Sequence, residues 1–325
     1  MSFFNKIFDR KNKTSSDSLT TISRTETYEG FSIPGIIHNM QYHFTDLQVY
    51  RDGLVYCWDM VDLKLFKEKL KAGWVVTRIP DGERISLFSL GNWTIDNGTW
   101  DFSIIDSYYD YIFSLVRVLN PELENLYDCH GTTVKLINGV NVSTFSSPNP
   151  VPYYEKGDSK IFPERIKGTH RYIFYRADDN KLYLGQLSIF KDGQIEIANI
   201  PEKKRFNINE LEDLINKKAL LTDLPLKERV TILGLGSFEI ISGAGVDIKD
   251  KYAELLDAYE ELKSGKNSIE RCREVLEEYK SNPTDKLKEK LKVAYEKVPR
   301  HQRMFVGDMD TKDHEVKKII YGKLK

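Results

Sequence analysis

Apolar and polar residues alternate at strand spacing over much of the chain, broken by turn residues and by shorter runs at helical spacing. Leu47 and Val49 lead through Tyr50-Arg51-Asp52-Gly53 into the run Leu54 to Trp58. Two β-rich runs around an Asp-Gly step predict a tight hairpin. Asp62 then stands where an N-cap belongs, ahead of a partial helical stripe of Leu63, Leu65, Phe66 and Leu70 that runs to about Lys71, with Gly73 as its stop. Trp74 to Ile79, the Pro80-Asp81-Gly82-Glu83 turn, Ile85 to Phe88 and Trp93 to Ile95 predict further strands.

The same pattern returns later. Leu187-Ser-Ile-Phe-Lys-Asp-Gly193 mirrors Leu47-Gln-Val-Tyr-Arg-Asp-Gly53 at an offset of 140 residues. A helical segment follows from Asn209 to Lys218. Ala219 to Ile240 then aligns without a gap on Trp74 to Ile95 at an offset of 145, with identities at Thr77/Thr222, Pro80/Pro225, Glu83/Glu228, Arg84/Arg229, Leu90/Leu235, Gly91/Gly236 and Ile95/Ile240. Most other pairs keep apolar character, including Trp93/Phe238, Ile85/Val230 and Leu87/Ile232. Internal duplication explains the match. The change of offset places a five-residue insertion between hairpin and helix in the second copy, where a connection tolerates length.

Between the copies, Ser103 to Leu119 has helical length and is apolar on more than one face, which predicts a largely buried helix. Thr132 to Ile137, Asn138-Gly139 and Val140 to Val142 predict a hairpin, and Ser146 to Pro152 reads as a linker. After Gly245 the chain becomes roughly half charged, and three amphipathic helices are predicted over Lys249 to Lys263, Ser268 to Ser281 and Thr284 to Val298. The expected map is a tail (1–32), a first module (33–145), a linker (146–165), a second module (166–246) and a helical extension (247–325). The fold class is α/β of the α+β type, with tandem duplicated, mostly antiparallel strand-rich modules and a C-terminal helical extension.

Charge sharpens this picture mainly by exclusion. Lys plus Arg (48) nearly cancels Asp plus Glu (49), so no global field exists to hold a polyanion, and nucleic acid is not an expected partner. Cys57, Cys129 and Cys272 lie far apart and suit neither a disulfide framework nor a zinc pair, which points to a reducing, cytoplasmic setting. No run approaches the roughly 18 apolar residues of a membrane span. The polar stretch Lys11 to Thr27 reads as a mobile tail, and Phe3, Phe4, Ile7 and Phe8 with neighbouring lysines form at most a weak amphipathic anchor.

Candidate chemistry is sparse. The densest polar cluster, Asp308 to Glu315, offers Asp308, Asp310 and Asp313 as hard oxygen ligands for a divalent metal, but the glycine and final glutamate of a calcium loop are missing. A turn with a helix cap explains the same residues through Val316, Ile319 and Ile320. Cys129-His130 beside Asp128 suggests a thiolate pair, although neighbours in a chain rarely aim reactive atoms at each other; His38, His43 and His170 are further candidates that spacing does not separate. Gly234-Leu-Gly236 and Gly243-Ala-Gly245 lack a complete phosphate-loop pattern, and the shared Gly91/Gly236 points to a common backbone requirement such as a bulge. Glu83-Arg84 and Glu228-Arg229 read as turn-flanking ion pairs, and the lysines from Lys286 to Lys292 as a solvated helix face.

Gly73-Trp-Val-Val-Thr77 followed by Leu90-Gly-Asn-Trp-Thr94 resembles segments of uncharacterised bacterial proteins, a family with no assigned activity. The resemblance covers about sixty residues of the first module and more faintly the second. It implies a bacterial origin and carries no catalytic residue across. The expected function is non-enzymatic protein binding, as an immunity, defence or regulatory factor without a cofactor, using the 12% aromatic content to build surfaces. The rival is a metal-dependent hydrolase or nuclease built on Asp308 to Glu315 with a histidine from the first module.

Overall fold

The computed structural model describes residues 29–128, 134–137, 140–143, 150–157, 164–308 and 310–322. The first repeat comprises β1 (Gly30–Asn39), β2 (Gln41–Tyr50), β3 (Val55–Tyr56), β4 (Met60–Val61), α1 (Leu63–Lys71), β5 (Val75–Val76), β6 (Arg84–Leu87), β7 (Gly91–Trp100) and α2 (Ile105–Leu119). A separate hairpin, β8 (Val134–Ile137) with β9 (Val140–Ser143), and the strand β10 (Tyr153–Lys156) follow. The second repeat lays down β11 (Glu164–Arg176), β12 (Leu182–Phe190), β13 (Gln194–Ala198), β14 (Lys204–Asn207), α3 (Leu211–Asn216), β15 (Leu220–Leu221), β16 (Arg229–Ile232), β17 (Gly236–Gly245) and α4 (Ile248–Ser264). The helices α5 (Ser268–Ser281), α6 (Asp285–Lys297) and α7 (His314–Tyr321) complete the chain.

The two repeats share one topology. In each, the first two strands pair antiparallel, the short fifth strand joins the outer edge of the first, and the second pairs parallel with the sixth. Registers correspond as well: Tyr42 lies opposite Ile85, and Leu182 opposite Val230. Even the turn bonds recur. Ile95 N donates to Glu83 O and Ile240 N to Glu228 O, while Gly82 N donates to Ile95 O and Lys227 N to Ile240 O. Asp62 caps α1 by accepting from Leu65 N at 2.8 Å. The insertion lies in the second copy's β13–β14 hairpin, lengthening both strands beyond β3 and β4.

The repeats meet along β7 and β17, which pair antiparallel about a pseudo-twofold axis. Ile95 lies opposite Ile240, its own equivalent. Reciprocal bonds flank it: Asp101 N donates to Leu235 O and Val246 N to Leu90 O. Gly91 and Gly236 hold φ of 151° and 150°, and a Cβ on either would lie 2.4 Å from the other copy's carbonyl, Ala244 O and Thr99 O respectively. Close approach of two strands at positive φ is thus the shared backbone requirement behind these glycines.

The resulting fifteen-stranded sheet curls, so that strands distant in its order face each other. Phe44 packs edge-on against Tyr172 at 4.9 Å and Trp93 against Phe174 at 5.1 Å. Both copies contribute to a single core that includes Ile36, Leu47, Trp93, Phe174, Leu187 and Phe238. The helix α2 buries only Tyr108, Ile112 and Val116, leaving Ile104 and Val118 exposed, so the expectation of burial on several faces gives way to a single stripe against the sheet. Likewise, α4 packs on β11 and β12 as α2 does on β2, so it continues the second repeat. The extension proper is α5 to α7, with a core of its own around Cys272, Val275, Leu276, Leu291 and Tyr295.

Candidate functional site

The most concentrated polar chemistry lies where the two repeats and the extension meet. Glu254, on the inner face of α4, has a side chain only 1% exposed, and four donors converge on it. Oε1 accepts from Ser89 Oγ at 2.9 Å and Arg171 Nε at 2.8 Å. Oε2 lies 2.9 Å from Lys251 Nζ and 3.0 Å from His301 Nε2. Each contact comes from a different place: Ser89 from the β6–β7 turn, Arg171 from β11, Lys251 one turn earlier on α4, and His301 from the 3-10 turn Arg300–Phe305. Lys251 Nζ also donates to Ser89 O at 2.9 Å.

Electrostatics follow from this geometry. Burial alone would raise Glu254, but His301, Lys251 and Arg171 more than offset it and hold the carboxyl at about 2. Burial pulls Lys251 below the usual lysine range while Glu254 opposes it. The carboxylate has about four lone-pair sites, and all of them are filled.

Ser89, His301 and Glu254 superficially resemble a hydrolase triad, with Ser89 Oγ 3.2 Å from His301 Nε2. The wiring differs. A triad needs a free Nε2 to take the serine proton and a carboxylate on Nδ1. Here the carboxylate sits on Nε2, which must carry the proton to bond it, and the serine hydroxyl is directed at the same carboxylate. Nδ1 is buried and finds no partner among the described residues. The arrangement therefore joins three parts of the chain and does not activate a nucleophile.

Duplication provides an internal control. Ser89 holds φ of 57°, while its equivalent in the second repeat is Gly234, at 78°. A serine in left-handed backbone costs roughly 1 kcal/mol that glycine avoids. The strained residue is the one that reaches Glu254 and His301. When α2 and α4 are aligned from their first residues, Lys251 and Glu254 fall on Tyr108 and Tyr111, which in the first repeat pack against Phe102 at 4.8 and 5.5 Å. An aromatic cluster has given way to an ionic one in the helix that carries the extension.

A second polar cluster lies near the pseudo-twofold. Asp46 Oδ2 accepts from Tyr172 OH and from Gln186 Nε2, both at 2.9 Å, and His170 Nε2 lies 3.2 Å away. Gln186 is the repeat equivalent of Asp46, so the two bond across the axis. Burial, then Asp46, push Tyr172 well above the usual tyrosine range. Tyr172→Phe is expected to cost about 2 kcal/mol in urea unfolding, the worth of a buried hydrogen bond to a carboxylate.

The acidic residues proposed from sequence as a metal set are held separately. Asp308 Oδ1 closes its own turn by accepting from Thr311 N, Thr311 Oγ1 and Asp310 N. Asp310 is exposed, whereas Asp313 is turned inward to Tyr295 and Lys317. Among the described residues no three His, Cys, Asp or Glu side chains gather as a metal set. Asp308 therefore serves its own turn, and Asp313 is committed to Tyr295 and Lys317 without capping α7 through its side chain.

Other candidates are similarly placed. His38 stacks on Tyr42 and His43 lies against Trp58. Burial pushes the Cys57 and Cys272 thiols up to about 11. Cys129, His130 and the Asn138-Gly139 turn lie outside the described residues, as do Phe3, Phe4, Ile7 and Phe8 and, within the expected linker 146–165, residues 146–149 and 158–163. Glu228 pairs with Arg176 and Arg229 with Glu239, so adjacent Glu-Arg residues do not pair with each other; successive strand residues face opposite ways.

Glu254 and Lys251 escaped sequence reasoning because charged helix positions normally face water. The available signal was phase: Lys251 precedes Leu255, and Glu254 precedes Ala258, by four residues on the apolar stripe.

Among the described residues no helix is long and apolar enough to cross a membrane. No curated protein matches the chain, and no solved structure matches it. A family model described as a domain of unknown function, DUF7638, matches residues 18–123 and again 158–266, and a second such domain, DUF7639, matches 267–324. The two DUF7638 matches cover well over half of the chain and end where α4 gives way to α5, so the protein belongs to the DUF7638 family as a tandem duplicate followed by a DUF7639 unit.

Proposed function

We propose that this protein is a non-enzymatic binding protein of the cytoplasm, a regulatory or defence factor that recognises another protein at the junction of the repeats and the extension. The observation that carries this reading is that three large apolar side chains are exposed on the two turns that hold the buried polar cluster. Phe88 is 72% exposed beside Ser89, and Met304 and Phe305 are 43% and 45% exposed on the turn that holds His301. His301 and Met304, three residues apart in a 3-10 turn, share a side. Arg273 secures that turn to α5 by donating to the carbonyls of Phe305 and Val306. Large apolar side chains exposed at the junction give a partner apolar area to bury while the extension lies against the repeats. The buried thiols Cys57 and Cys272 suit a reducing compartment.

The test is cross-linking and affinity capture from the native cell with wild type and a Phe88→Asp/Met304→Asp variant. The expected result is a protein partner cross-linked through this junction and bound about 30-fold more weakly by the variant, with thermal stability unchanged. Stabilisation by a divalent ion alone, together with turnover of a hydrolysable substrate and no captured partner, would overturn the reading.

A further inference from the structure

The extension is attached to the repeats in an unusual way. Its apolar residues pack on one another, and the buried core of the repeats ends within α4 at Ala258, without including any residue of α5 to α7. What joins the two bodies is a polar seam along one face of α4. Asp250, Glu254, Asp257 and Glu261 recur at four, three and four residues, the spacing of one helical face. Arg300 N approaches Asp250 at 3.4 Å and His301 bonds Glu254. Nearer the connection, Ser268 donates to Asp257 through N at 2.8 Å and Oγ at 2.6 Å, and Asn267 Nδ2 donates to Glu261.

The covalent link is short and is braced by Arg271 of α5, which donates to Ser264 Oγ and Lys266 O, both at 2.7 Å. Gly265 ends α4 at φ of 77°, and nothing lies within 4 Å of where its Cβ would be. The boundary between the two family models falls one residue later, between 266 and 267. Contacts at Asp257 and Glu261 adjoin this point, whereas Asp250 and Glu254 lie up to four helical turns away along α4. One end of the seam thus has the geometry of a pivot, the other that of a catch.

We infer that the C-terminal three-helix unit is a latched arm, turning as a rigid body about Gly265–Asn267 with its own core intact, and that the contact of Ser89 and His301 with Glu254 sets how often it opens. What sets Ser89 apart is its reach: it places a hydroxyl in the catch, where the equivalent turn of the second repeat, which carries no arm, has glycine. Opening uncovers Glu254 with its Lys251 and Arg171 partners already in place, so the repeats keep a paired charge in either state.

Hydrogen exchange on the intact chain tests the inference with Ser89→Gly and His301→Gln. A residue serving only its own turn would tolerate glycine at φ of 57° without loss, since glycine relieves that strain. The latch predicts the reverse for the seam: amides of Arg300 to Phe305 exchange about tenfold faster in both variants, the effect of losing one hydrogen bond to a charged group. Trypsin cleavage after Lys266 rises in parallel, while amides within α5, α6, β7 and β17 keep their protection. Unchanged exchange at the seam in Ser89→Gly would overturn the latch, and so would equal loosening of the seam and the α5–α6 core.

Discussion

Glu254→Ala is expected to lower the unfolding free energy by about 3–5 kcal/mol, because it leaves charged partners buried without their counter-ion. Lys251 is fully buried and cannot reach water, whereas the Arg171 side chain, 24% exposed, can turn partly outward. Most of the loss should therefore trace to Lys251. The compensating variant Lys251→Met/Glu254→Leu is expected to recover much of it, since apolar side chains of similar volume often replace a buried ion pair without penalty. Urea unfolding followed by circular dichroism checks both. The pH dependence has a definite sign. Glu254 is held at about 2 against an ordinary 4.5, so its contribution is complete above about pH 4.5 and fades as pH falls toward 2. The shift corresponds to about 3 kcal/mol of stability. The compensated variant should lose this part of the acid limb.

The second large effect is expected at the seam between the repeats. Gly236→Ala would set a Cβ 2.4 Å from Thr99 O at a backbone conformation that side chains rarely adopt. Gly91→Ala would do the same against Ala244 O. Backbone strain and forced separation of the strands together cost about 3 kcal/mol. Since the two sites are related by the pseudo-twofold and meet a carbonyl at the same 2.4 Å, their costs should be of similar size. Gly82, at φ of 84° with open space where its Cβ would be, serves as the control and should show only the milder cost of left-handed backbone, about 1 kcal/mol.

Most of the repeat was legible because turn chemistry and strand alternation survive divergence. Asp52-Gly53 and Asp192-Gly193 still close hairpins, with Leu54 N and Gln194 N each bonded to the preceding aspartate at 3.2 Å. The run from Trp74 to Ile95 keeps its path because its apolar residues face the shared core. What was hidden is what changed after duplication. Nothing in the residues of α4 marks it as the counterpart of α2, because Lys251 and Glu254 stand where Tyr108 and Tyr111 would have betrayed it. Ser89 looked like an ordinary loop serine, because its partners Glu254 and His301 lie 165 and 212 residues further along the chain. Conversely, Asp308 to Glu315 was conspicuous in sequence because acidic residues crowd there, yet Asp308 closes its own turn while Asp313 and Glu315 reach Tyr295 and Lys280 on other helices. Charge density along a chain reports composition, whereas the buried polar cluster is assembled from distant segments: Ser89, Arg171, Glu254 and His301 span more than two hundred residues.

Pairing of β7 with β17 about a twofold underlies everything above, because it generates the shared core, the glycine seam and the comparison between copies. Backbone nuclear Overhauser contacts across that seam test it most directly. The structure requires two equivalent sets, Gly91 with Gly245 and Gly236 with Trp100, flanking a central contact between Ile95 and Ile240. Observing one flank without the other, or neither, would contradict the twofold arrangement.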